Sequence, residues 1–93
     1  MNSMSESTTI LMRLPSGPLA ALGVALEFGT LRHGFYKKSL QPFCGDAAPA
    51  VEQALHHLTR AGFSTTTAGI LCQALGRALA ERDDTERSLQ LVL

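Results

Sequence analysis

Between Val51 and Leu79 the apolar positions recur at the three- and four-residue spacing of an amphipathic helix. They do so twice, on either side of an Ala61-Gly62-Phe63-Ser64 corner. In the first run Val51, Ala54, Leu55, Leu58 and Ala61 share one face, while Glu52, Gln53, His56, His57 and Arg60 fall largely elsewhere on the circle. In the second, Ala68, Leu71, Cys72, Leu75 and Leu79 form the inner face. Gly62 suits the left-handed residue that ends a helix, Phe63 is placed to touch Leu58 and Ala68, and Ser64 caps the helix that follows.

Upstream, Pro18 suits the first turn of a helix that carries Leu19 through Phe28 and closes at Gly29. That segment is apolar nearly all round, so it belongs in the middle of a bundle. Gly23 inside it costs about 1 kcal/mol relative to Ala, which points to close approach of a neighbouring helix. Ile10, Leu11, Met12 and Leu14 make a short apolar patch ended by Pro15, either a helical turn or an extended piece packed across the bundle. Residues 1–9 read as a disordered tail, with too little apolar surface to offset the entropy of ordering.

Thr30 to Gly45 mixes Leu31, Phe35, Tyr36, Leu40 and Phe43 with Arg32, His33, Lys37 and Lys38, and reads as a short helix followed by a loop. Asp46 is the expected cap of the next helix, with Pro49 in its first turn. The charged run from Glu81 to Arg87 reads as a solvated helix end and turn. Residues 88–93 alternate, with Leu89, Leu91 and Leu93 on one side, and resemble a strand. Either this segment pairs with something outside the chain or it begins a following domain. A bare apolar edge invites aggregation, which favours the second. The pattern predicts an all-α fold, a small four- to five-helix bundle over 10–87 with a short C-terminal strand-like tail.

The 93 residues allow one modest core. Leu and Ala carry the apolar fraction, with few aromatics and no Trp, which favours helices over a β-sandwich. Lys plus Arg equals Asp plus Glu, so there is no global field to attract nucleic acid or an anionic membrane. The first nine residues lack a basic leader, and no apolar stretch nears the roughly 20 residues of a membrane span. Cys44 and Cys72 are far apart in the chain without a C-x-x-C unit. They read as reduced thiols in a cytoplasmic protein, Cys72 a structural one on the core face.

Candidate chemistry is sparse. His56 and His57 lie about 100° apart on a helix and lack a third ligand at helical spacing, so they read as solvent-facing rather than metal-binding. The glycines punctuate helices and form no phosphate loop, and no catalytic residue, metal or cofactor is expected. Two nucleic-acid contacts are conceivable. Helix, corner, helix is the outline of a helix-turn-helix, in which Thr65, Thr66, Thr67 and Gln73 would face DNA, but that helix begins without a cation. The better electrostatic set is Arg32, Lys37 and Lys38 around Tyr36, two elements of a backbone-and-base contact, with His33 beside them.

The runs PSGPLAALGVALEFGTL, AVEQALHHLTRAGFSTTTAGILCQALGRALAER and SLQLVL together resemble the N-terminal helical segment of the phospholipase-D-like protein family of the DISARM phage-defence system. The likeness spans about Leu14 to Leu93 and rests on Leu, Ala and Gly at helical spacing leading into a strand-like end. Such proteins carry a phosphodiesterase-type domain beyond this region, with an H-x-K motif and an Asp. No histidine here precedes a lysine at that spacing, so no catalytic residue carries over. The resemblance implies a non-catalytic helical interaction or positioning module at the front of a larger defence protein that acts on nucleic acid. The larger protein or following domain would be met through Leu89, Leu91 and Leu93, with DNA a further partner. The alternative is a small DNA-binding regulator using the helix-corner-helix element.

Overall fold

The computed structural model describes the backbone over residues 3–31 and 37–92, and side chains over 6–31 and 39–83. Among the described residues there are five α-helices and no strand: α1 (Ser3–Leu11), α2 (Ser16–Glu27), α3 (Lys37–Cys44), α4 (Ala48–Arg60) and α5 (Thr65–Val92), with a 3₁₀ turn at Gly45–Ala47 before α4. The all-α bundle expected from the periodicity is the fold observed.

Two layers of helix packing build it. α5 lies along α2 over much of that helix, α1 lies along α4, and α3 bridges to α4 and α2. The core between them is mostly leucine: Leu11, Leu19, Leu22, Leu26, Leu40 and Leu58 are essentially excluded from solvent, with Val51, Ala54, Ala68 and Cys72 filling between them. Leu71, Leu75 and Leu79 pack at its margin, as the pattern of the second run requires. Each fully buried Leu contributes about 1.5–3 kcal/mol relative to exposure. One face of α2 and one face of α5 thus hold the core, and their contact with each other is a separate matter.

The corner between α4 and α5 is built as the sequence specifies. Gly62 has φ +92°. Its N–H donates to Thr59 O at 3.0 Å, and the Phe63 N–H donates to Leu58 O at 3.0 Å, the paired bonds of a Schellman end. Ser64 then accepts from the Thr67 N–H at 3.1 Å, satisfying one orphan donor of α5. Phe63 packs against the core cluster. Ala61, placed on the inner face by its spacing, is exposed instead, because the helix has already ended there.

Several expectations need correction. The tail expected over 1–9 is helical from Ser3, and Ser7 is fully buried, donating its hydroxyl to Ala54 O at 3.1 Å across to α4. At a close helix crossing the small size of a serine is the reason it fits. The apolar patch at Ile10–Leu14 takes the helical alternative, with Leu11 and Leu14 in the core. Asp46 does not cap α4: it lies in the 3₁₀ turn, and the N-cap is Ala47 with no side-chain cap. In the 30–45 segment the described helix is Lys37–Cys44, which runs through Pro42 to the segment's end instead of giving way to a loop. Over 88–92 the backbone continues as α5 instead of becoming a strand. Extending an existing helix adds one hydrogen bond per residue fixed, whereas an extended segment with no neighbouring strand leaves its backbone groups unpaired.

Candidate functional site

Of the basic set singled out for nucleic acid, Arg32 and Tyr36 lie outside the described residues, as do the side chains of Lys37 and Lys38. The backbone places Lys37 and Lys38 at the first turn of α3. The free N–H groups of a helix start are themselves electropositive, so two lysines there add to the positive potential instead of offsetting it.

The helix-turn-helix outline is more fully described. Thr66 and Thr67 at the start of α5 are exposed, and the hydroxyls of Thr67 and Ser64 are hydrogen-bonded to each other at 2.9 Å. Gln73 is not a free reader: its side-chain amide donates to the Glu27 carboxylate of α2. Moreover, α5 packs chiefly on α2 and barely touches α4. The two helices flanking the corner therefore do not form a compact pair of their own.

Cys44 and Cys72, remote in the chain, are brought into one buried cluster and are not disulfide-bonded. Burial pushes the Cys44 thiol up to about 11. Burial, together with the charge Cys44 would carry when ionised, pushes Cys72 up to about 12. Both are held as neutral thiols near pH 7, the form that is a poor nucleophile and a poor metal ligand. His56 is exposed and His57 half-buried on α4. Among the described residues no three His, Cys, Asp or Glu side chains are grouped to hold a metal ion.

The contact between α2 and α5 is where the structure departs most from ordinary helix packing. A Cβ added at Gly69 would lie 2.4 Å from Glu27 N and 2.6 Å from Gly23 O. One added at Gly23 would lie 2.7 Å from both Gln73 N and Gly69 O. Gly76 is only slightly looser, with Ala20 N at 3.1 Å and Ser16 O at 3.2 Å. The two antiparallel helices touch backbone to backbone along this seam. Their axes are therefore closer than the roughly 8–10 Å set by ordinary side chains.

On the far side of the seam from the core lies a second, uncovered face. Phe28 is 75% exposed, Ile70 52% and Val24 47%. At about 100° per residue, Val24 and Phe28 follow the seam positions Gly23 and Glu27 on the side of α2 away from Leu19, Leu22 and Leu26. Ile70 stands in the same relation to Gly69 on α5, away from Ala68 and Cys72. With α2 and α5 antiparallel, these three side chains fall on one surface, level with each other. Gly17, Ala21 and Ala74 continue it towards the start of α2, all exposed. None of these six positions is charged. The signal for this surface was present in α2, which is apolar on more sides than a small bundle can cover.

The chain matches no protein-family model, no curated protein and no solved structure.

Proposed function

We propose that this chain is a non-catalytic helical interaction or positioning module. The observation that supports this reading is the group of exposed apolar side chains across α2 and α5, Val24, Phe28 and Ile70. Contiguous apolar surface of this kind marks a contact site more often than a bare exterior. The neutral, buried state of both thiols supports the same reading, since it withholds the nucleophiles most readily assembled from this composition.

The likeness of the sequence to the front of phospholipase-D-like phage-defence proteins suggests the setting: a cytoplasmic protein whose remaining domain acts on nucleic acid. In that setting Arg32, Lys37, Lys38 and Tyr36 are the residues to contact a phosphate backbone and stack a base. A regulator that reads DNA through α5 is less well supported, because Gln73 is engaged by Glu27. Among the described residues no helix is long and apolar enough to cross a membrane.

Two assays on the full chain test the reading. Incubation with bis-p-nitrophenyl phosphate is expected to release no nitrophenol above buffer, and steady turnover would overturn the non-catalytic assignment. Retention of duplex or single-stranded DNA at low salt is expected to be weak, and lost when Lys37 and Lys38 are both changed to Glu. Retention indifferent to that double change but altered by Thr66→Ala would move the contact to α5.

A further inference from the structure

We propose that α1 is a strap that opens and closes on α4 as a unit of its own, swinging about the turn at residues 12–14 while α2, α4 and α5 stay folded. The inference stands apart from the module reading and would survive its failure. Three observations carry it.

The first is that α1 does not hold its own shape. Five of the nine residues of Ser3–Leu11 are Ser or Thr. Such side chains are mediocre helix formers, because they offer the backbone competing hydrogen bonds. Nine residues also fall short of the roughly 12–15 at which an isolated helix becomes even marginal in water. Helix and docking therefore form together and are lost together. A segment whose composition reads as a tail is a helix only while α4 lies beside it.

The second is where α1 is held. Among the described residues its extended contact is with α4 alone, whereas α4 also packs on α3, and α2 packs on both α5 and α3. Removing α1 thus leaves every other helix with a neighbour. Of its described side chains, Ser7 and Leu11 are fully buried, Ile10 is half-buried, and Glu6 and Thr9 are exposed. Leu11 stands beside the turn, and Leu14 on the far side of the turn is also in the core, so a firm apolar anchor sits at the pivot. One helical turn back along the strap, Ser7 occupies an inward position at which a larger apolar side chain would hold more tightly.

The third is the Ser7 contact itself. Its hydroxyl donates to Ala54 O, a carbonyl in the middle of α4 that the helical ladder engages as well. When the strap lifts, that carbonyl keeps its ladder partner and the hydroxyl passes to water. No buried polar group is orphaned, so the contact is reversible by construction.

Amide hydrogen exchange of the full wild-type chain, in water and in urea below the unfolding transition, tests this. Amides at residues 8–11 are expected to be protected relative to an unstructured chain. They are nevertheless expected to exchange at least tenfold faster than those at residues 71–75 of α5, and to depend less on urea. Equal rates with equal urea dependence would overturn the proposal, since α1 would then open only when the whole molecule unfolds. Absence of protection at residues 8–11 would overturn it too, since there would be no closed state. Ser7→Cys gives a second readout against Cys72, which is fully excluded from solvent on α5. Under native conditions iodoacetamide is expected to modify the introduced thiol at least tenfold faster than Cys72, each rate taken relative to that in the urea-unfolded chain. Modification of both thiols in step would contradict an independent strap.

Discussion

Glycine at three positions sets the distance between α2 and α5, and the three are not equivalent. Gly69→Ala gains about 1 kcal/mol of helix propensity but places a methyl group 2.4 Å from the Glu27 backbone nitrogen. Backbone cannot step aside as a side-chain end can, so the helices must separate, and a net loss of about 1–3 kcal/mol is expected by chemical denaturation. Gly76→Ala meets its neighbours at 3.1–3.2 Å, where a few tenths of an ångström suffice. The same propensity gain then nearly balances the strain, and its midpoint should stay close to that of the wild type. From sequence, Gly23 is legible as a point of close approach because it interrupts an otherwise strong helix. Its partner Gly69 is not, since nothing in a sequence says which two glycines face each other. Gly62 is a different case, required by φ +92° at the corner and not by space. Gly62→Val should cost about 1–2 kcal/mol through the left-handed conformation alone.

The thiols carry a pH dependence of definite sign. Each has its folded pKa above the ordinary 9.0, so folding favours the protonated form. The stability they contribute is intact below about pH 9 and declines as pH rises towards 11–12. In urea melts, the fall in stability above pH 9 should be shallower for Cys72→Ala than for the wild type, even though its stability at neutral pH is lower. Equal slopes would show that these thiols do not govern the alkaline limit. Cys72 was placed in the core from helical spacing alone, but its proximity to Cys44 needs the tertiary fold.

At the scale of elements, periodicity was informative where a helix buries a stripe and uninformative where packing overrides composition. α4, α5 up to Leu79, their corner, and α2 with its Gly29 end were all legible, α4 and α5 from regular apolar spacing and α2 and α4 from a terminating glycine. α1 was not. Its serines and threonines are weak helix formers, and it is held by Leu11 and Ser7 against α4 rather than by its own propensity. Leu11→Ala should therefore cost about 2–5 kcal/mol, as for any buried leucine, and would cost nothing if the segment were a loose tail. Ser7→Ala should cost only about 0.5–1.5 kcal/mol, since it removes one donor from a contact that already fits a small side chain. The end of α5 misled for the opposite reason. Alternating Leu89, Leu91 and Leu93 satisfy a strand pattern, yet a preceding helix can be extended without any partner.

Seen whole, the molecule is a helix bundle in which α2 and α5 are apolar on two sides and covered on one. The middle position expected for α2 is not what the structure shows: Leu19, Leu22 and Leu26 are buried, but Val24 and Phe28 on its other side are exposed. The seam between α2 and α5 is the central claim, and urea denaturation of Gly69→Ala beside Gly76→Ala tests it most directly. A loss of about 1–3 kcal/mol for the first and a midpoint close to wild type for the second are predicted. Equal stabilities for the two variants would contradict it.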